Sequence, residues 1–208
     1  VAPVATKSLF TTKFYRAPIG GKNLPELQQD LRDACAMLET DDKAGRKWCK
    51  DNAYRGYTSY ASLNDLDTRF SCFGDLKRRI DKHVAIFAAE CHFDLQGRKL
   101  VMDSFWVNIL PPLGLHTSHI HPHSVVSGTF YLDLPEGSSA LKIEDPRLGF
   151  MMAAPPRLKD APEDVQTHIF MNPDEGDVML WESWLRHEVV QNQAKTKRIS
   201  ISFNYNWG

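Results

Sequence analysis

A mainly β fold with flanking helices is what this 208-residue chain predicts: an antiparallel sandwich, jelly roll or barrel with two N-terminal helices packed on one sheet. Three observations carry that expectation. The hydrophobic period changes from helical to two at about residue 99. Seven short β-type runs follow, separated by segments rich in Pro, Gly, Asn and Asp. The final run sorts its side chains into one apolar and one polar row. We expect a single domain over residues 1–208, with residues 1–93 mainly helical and packing on a core formed by residues 94–208.

The helices come first. "LPELQQDLRDACAMLE" (24–39) places Leu24, Leu27, Leu31, Ala34, Cys35 and Leu38 on one stripe, with Pro25 tolerated in the first turn. "FGDLKRRIDKHVAIFAAECHF" (73–93) repeats the pattern through Leu76, Ile80, Val84, Phe87 and Cys91. Between them, "KWCKDNAYRGYTSYASLNDLD" (47–67) reads as turn-rich with short extended pieces. The predicted strands are 100–110, 125–134, 139–145, 165–172, 176–183, 186–192 and 197–207. The longer stretch 147–168, rich in Pro and Met, reads as an insertion that forms either a lid or an irregular connection.

The last strand carries the most information. Ile199, Ile201, Phe203, Tyr205 and Trp207 lie on one face, and Arg198, Ser200, Ser202, Asn204 and Asn206 on the other. If helices cover the apolar face, the polar row points between two sheets. An arginine heading such a row is costly unless an anionic ligand meets it. The alternative is an edge strand with its polar face in water.

Composition narrows the function classes. Hydrophobic content of 42 %, charged content of 25 % and a net charge of −1 are those of an ordinary globular protein. They offer no field for nucleic acid. No run reaches the roughly 18 apolar residues of a membrane helix, and no apolar core follows basic residues at the start of the sequence. The four cysteines (Cys35, Cys49, Cys72, Cys91) form no C-x-x-C pair, so reduced thiols and a cytoplasmic location are expected.

Four of the eight histidines fall within "LHTSHIHPHS" (115–124). His119 and His121 are one residue apart, so in extended chain both rings project to the same side, a common way to offer two imidazoles to one metal. A His121/His123 pair shares that parity and is the alternative. His116 and His168 read as cavity or surface residues, and His83 and His92 as helix residues. Downstream, His187 follows an aromatic-rich strand, and Arg198 and Ser200 begin eleven residues later across what reads as one hairpin.

The ordered stretches "HIHPHSVVSGTFYL" (119–132), "EDPR" (144–147), "EGDVMLWESWLRHEVVQN" (175–192) and "RISISFNYN" (198–206) resemble the 2-oxoglutarate- and Fe(II)-dependent dioxygenases, in particular a little-characterised bacterial and phage group. The resemblance covers residues 105–206. It implies a double-stranded β-helix (jelly-roll) core and iron(II) held by His119, His121 and His187. It further implies that 2-oxoglutarate is held through its distal carboxylate by Arg198, with Ser200 beside it. Tyr131 and Asn108 are further candidates for cosubstrate contacts. The reaction would consume O2, convert 2-oxoglutarate to succinate and CO2, and oxidise a small-molecule or peptide substrate, with no nucleic acid or membrane as partner.

One position departs from most of the superfamily: His121 stands where Asp or Glu is usual. Three neutral imidazoles leave the full 2+ charge on the metal, which dianionic 2-oxoglutarate can neutralise. Three histidines with an open position also describe catalytic zinc sites. Glu182 and Asp133 are close enough in sequence to replace one histidine. Two other functions are compatible with a histidine-bearing barrel. A cupin-type metalloenzyme usually carries a Glu soon after its H-x-H, where this chain has "PHSVVSG". A non-catalytic binding barrel with a structural metal needs a fourth ligand, such as His116 or His123.

Overall fold

A computed structural model describes residues 5–208. Six strands form the larger sheet, in the order β1 (Phe14–Pro18), β8 (Asp177–Glu182), β5 (Val126–Asp133), β10 (Arg198–Trp207), β3 (Leu100–Leu110) and β2 (Tyr57–Thr58). The smaller sheet runs β4 (His116–His119), β9 (His187–Val189), β6 (Leu141–Glu144) and β7 (His168–Met171). Every pairing between these strands is antiparallel. Four helices, α1 (Leu24–Asp41), α2 (Lys43–Asp51), α3 (Leu66–Arg69) and α4 (Ser71–Glu90), all precede β3.

The two expected amphipathic helices form, and for the expected reason. The stripe Leu27, Leu31, Ala34, Cys35, Leu38 of α1 and the stripe Leu76, Ile80, Val84, Phe87 of α4 are buried in one cluster with Phe130, Val178, Leu180, Ile201, Phe203 and Tyr205 of the larger sheet. Each large side chain so buried contributes about 1.5–3 kcal/mol. Packing there is close enough to dictate a glycine: a Cβ on Gly128 would lie 2.6 Å from both the Phe203 ring and Leu180.

Of the elements that differ from the sequence reading, two show why. Residues 47–51 are the second half of α2 rather than a turn. That helix buries only Gly45 and Cys49, so it has almost no apolar stripe to read. Its start is fixed instead by Asp42, whose carboxylate accepts from the Gly45 N–H at 2.9 Å. The second is β1, an edge strand in the part expected to be mainly helical, and it exists through its partner. Arg16 donates to Asp177 and Asp174, each at 2.6 Å, while Tyr15 packs against the Phe87 ring. The four cysteines are free, and among the described residues no helix is long and apolar enough to cross a membrane.

The insertion after β6 holds two 3-10 turns, Leu148–Phe150 and Glu163–Val165, and is mostly exposed. β6 and β7, which it joins, are hydrogen-bonded neighbours.

Candidate metal and cosubstrate site

The space between the two sheets is lined from both sides in register. On the larger sheet the inward row of β10 meets three cross-strand rows: Leu110 beside Arg198, then Asn108–Ser200–Tyr131, then Trp106–Ser202–Thr129. On the smaller sheet two rows face them: His119–His187–Ile143, and His116–Val189–Leu141 two residues further along. The polar row of the last strand therefore points between the sheets, since Arg198, Ser200, Ser202 and Asn204 are all buried.

His119 ends β4, His187 begins β9, and His121 follows β4 in a segment anchored by its own N–H to the carbonyl of Ser183 at 3.0 Å. Their ligating nitrogens lie within 4.8 Å of one another. His121 Nε2 is 3.1 Å from His119 Nε2 and 3.3 Å from His187 Nε2. The far side of two rings explains this convergence. Nδ1 of His119 donates to the Thr117 carbonyl at 2.7 Å, and Nδ1 of His187 donates to the Leu185 carbonyl at 2.8 Å. Those bonds place the protons on Nδ1 and leave the Nε2 lone pairs aimed at a common point, the usual arrangement behind metal-bound histidines. Burial also favours the neutral rings, moving His187 down to about 2, His121 to about 4 and His119 below its usual range. The acceptor nitrogens of His119 and His187 thus converge with Nε2 of His121 on one point, an arrangement that a cation would satisfy.

The competing ligands are engaged elsewhere. Asp133 pairs with Arg32 of α1 at 2.7 Å, and Glu182 accepts from the Trp184 indole at 2.6 Å. His123 is exposed in a turn at φ 72°. His116 lines the pocket with its ring centroid 4.5 Å from that of His119. It is not one of the three converging residues.

At the other end lies Arg198, 1 % exposed. One terminal nitrogen donates to the carbonyl and hydroxyl of Ser139, at 3.0 and 2.9 Å, and the guanidinium lies 5.5 Å from the centre of the Tyr131 ring. Its Nε has no partner, and none of the ion pairs among the described residues involves it. Tyr131 is raised to about 12 by burial, so its hydroxyl stays protonated. Asn108 lines the same pocket with its amide engaged at both ends: Thr58 donates to Oδ1 at 2.8 Å, and Nδ2 donates to Ser202 at 3.0 Å. All seven residues singled out in the sequence thus border one pocket.

Sequence comparison agrees with this geometry, since residues 104–204 match the family described as "Putative 2OG-Fe(II) oxygenase". That segment, just under half of the chain, is thus similar to the 2-oxoglutarate/Fe(II) oxygenases. No curated protein matches the chain. Among solved structures, HygX from Streptomyces hygroscopicus, with nickel and 2-oxoglutarate bound, is similar at a TM-score of 0.62 and 16% identity, over 94% of this chain and 83% of that one. A Pseudomonas putida prolyl-4-hydroxylase is similar at 0.53 and 14% identity, over 94% and 93%. The chain spans about half (51%) of a 2OG-Fe(II) oxygenase family oxidoreductase from Burkholderia pseudomallei, at a TM-score of 0.44 and 15% identity over 62% of this chain. At such identities the first two likenesses show the fold, the jelly roll of 2-oxoglutarate oxygenases.

Sequence reasoning missed several residues that border the pocket: Tyr54, Trp106, Trp181, Val189 and Ser202. The parity of the last strand was signal enough for Ser202. Trp181, set edge-on to His187 at 4.7 Å, reads in sequence as hairpin packing. Nothing local marks Tyr54, which arrives from the helical half.

Proposed function

We propose that this protein is an Fe(II)- and 2-oxoglutarate-dependent oxygenase of a small-molecule or peptide substrate. His119, His121 and His187 would hold the metal, and Arg198, Ser200 and Tyr131 the cosubstrate. The observation that carries the reading is Arg198: a fully buried guanidinium with an unpartnered Nε and no carboxylate beside it, at the end of a pocket whose other end gathers three imidazoles. A buried charge of that kind calls for an anion, and a dianion between Arg198 and a divalent metal balances both ends.

The metal, when bound, would supply oxidation of the substrate by O2, with 2-oxoglutarate leaving as succinate and CO2. The chain's share is positioning and exclusion of water. Ser139 holds one side of the guanidinium and leaves Nε free for a carboxylate. Tyr131, kept protonated, supplies a donor beside it. Asn108, tied to Thr58 and Ser202, fixes the spacing of β2, β3 and β10 behind the cosubstrate. With three histidines as its protein ligands, a bound metal would keep positions for cosubstrate and O2, as a catalytic rather than a structural site requires. Free thiols fit a reducing, cytoplasmic setting.

The deciding experiment is anaerobic titration of the Fe(II)-loaded protein with 2-oxoglutarate, followed in the visible. A new metal-to-ligand charge-transfer band is the expected outcome. No band, together with tight zinc binding and no response to 2-oxoglutarate, would sink the reading in favour of a zinc-hydroxide enzyme.

A further inference from the structure

The segment that joins α2 to β2 lies outside the matched segment, yet it sends Tyr54 into the pocket that Arg198 also lines. Three local features bring it there. Ala53 adopts a left-handed conformation (φ 52°) after the last turn of α2, and the Tyr54 N–H returns to the Cys49 carbonyl at 2.8 Å. Gly56, at φ 141°, then lets the chain run against β3, where a Cβ would collide with the carbonyl of Ile109. Tyr57 and Thr58 pair with Ile109 and Asn108, so the turn cannot drift from the strand that borders the site.

The level at which Tyr54 enters is informative. Its ring stands edge-on to His116 with centroids 5.6 Å apart. His116 belongs to the row His116–Val189–Leu141, two residues along from the metal-level row His119–His187–Ile143. Two residues of strand measure about 6.6 Å. Arg198 marks the same end, since it reaches Ser139, two residues beyond Leu141. A five-carbon dicarboxylate anchored on the metal would put its far carboxylate in this region. The Tyr54 hydroxyl has one contact, His116 Nδ1 at 3.5 Å, the outer limit of a hydrogen bond. Its proton is therefore available. Burial pushes the phenol well above its usual range, with Arg198 pulling the other way, so it stays a donor at neutral pH.

We infer that Tyr54 is a cosubstrate-binding residue, donating its hydroxyl hydrogen bond to the distal carboxylate of 2-oxoglutarate beside Arg198. This rests on the oxygenase reading above. It also gives the helical half a part in the site: Tyr54 meets the carboxylate, and cosubstrate affinity depends on how residues 52–58 place it.

The test is calorimetric titration of Ni(II)-loaded protein with 2-oxoglutarate, comparing wild type, Tyr54→Phe and His116→Ala. A hydrogen bond to a charged group predicts affinity weakened about 10- to 100-fold in Tyr54→Phe, with nickel content and thermal midpoint unchanged. Equal affinity for wild type and Tyr54→Phe overturns the inference. So does an equal loss in His116→Ala, which would make Tyr54 a support for that ring. Wild type that fails to bind 2-oxoglutarate at all overturns the oxygenase reading instead. Hydrogen exchange of the wild-type Ni(II) protein is a check independent of variants. Adding 2-oxoglutarate should slow exchange at residues 52–58, and no change there counts against the inference even if Tyr54→Phe does not fold.

Discussion

The two faces of β10 alternate along one backbone and meet opposite demands. Ile201, Phe203 and Tyr205 face the helices in a dry cluster, while Arg198, Ser200, Ser202 and Asn204 face the smaller sheet. Both faces are buried, so solvent does not distinguish them. Completeness does. The apolar face has every neighbour it needs: Phe203 packs edge-on to Phe105 at 6.2 Å and to Tyr205 at 5.9 Å. The polar face is satisfied at one end, where Asn204 accepts from Ser127 at 2.8 Å and donates to Ser104 at 3.0 Å, and unsatisfied at the other, where Arg198 keeps a free Nε. Where the protein's own groups leave a buried charge incomplete, a ligand is the group that completes it.

Substitutions on the two faces should therefore fail in different measurements. Phe203→Ala has the largest expected effect, a loss of about 3–5 kcal/mol in unfolding free energy from transfer and cavity terms together. Urea unfolding of the metal-free protein reads it, and a loss below about 1 kcal/mol would mean that the helix-facing cluster is not the main core. Arg198→Met should behave oppositely. It exchanges an unpaired buried charge for an apolar chain of similar length, so metal-free stability should hold or rise. Metal content should stay the same while 2-oxoglutarate affinity falls about 100-fold, as expected for loss of charge-assisted bonds. If metal content falls and cosubstrate binding survives, the roles assigned to the two ends of the pocket are wrong.

The same comparison shows what was readable in sequence. The rows of β10 and the pair His119/His121 follow from a two-residue period, which is local. Parity alone placed the two histidines on one side and Arg198 in the polar row, but left open whether that row faced inward or water. His187 and Arg198 were legible through their spacing and the family resemblance. β1 was not, because an edge strand of five residues is held by ion pairs to Asp174 and Asp177, about 160 positions away. α2 was not, because capping by Asp42 rather than an apolar stripe defines it. Tyr54 reaches the pocket through the fit of Gly56 against Ile109, a tertiary contact with no signature near residue 54.

Acid should separate the faces without any mutation. Burial holds His116 near 3, His121 near 4 and His187 near 2, against 6.5 for an unburied ring. These folded-state values are depressed. Below pH 6.5 the unfolded chain therefore takes up protons that the folded protein does not, and stability is lost as pH falls toward the folded values. The limiting slope is about 1.4 kcal/mol per pH unit for each such ring. Urea midpoints of the metal-free protein should drop between pH 7.5 and 5.5. His116→Phe, which removes a titrating ring outside the ligand set, should make that drop shallower. A midpoint unchanged across the range would show that these rings are not buried neutral.

The smallest expected effect lies within the polar face itself, between two serines one step apart on β10. Ser202 is tied into the sheet, accepting from Asn108 Nδ2 at 3.0 Å and sharing a hydrogen bond with Thr129 at 3.0 Å. Ser200 sits between Asn108 and Tyr131 in the row next to Arg198, on the assigned path of the cosubstrate. Ser202→Ala should lower stability by about 1 kcal/mol and barely alter cosubstrate binding, because it breaks a bond already made within the protein. Ser200→Ala should do the reverse, leaving the urea midpoint in place and weakening 2-oxoglutarate about 10-fold, the lower end for a hydrogen bond to a carboxylate. If the two serines give the same result in both measurements, then the boundary between the satisfied and unsatisfied ends of this face does not fall between residues 200 and 202. The cosubstrate would in that case lie closer to the Trp106 row than Arg198 implies.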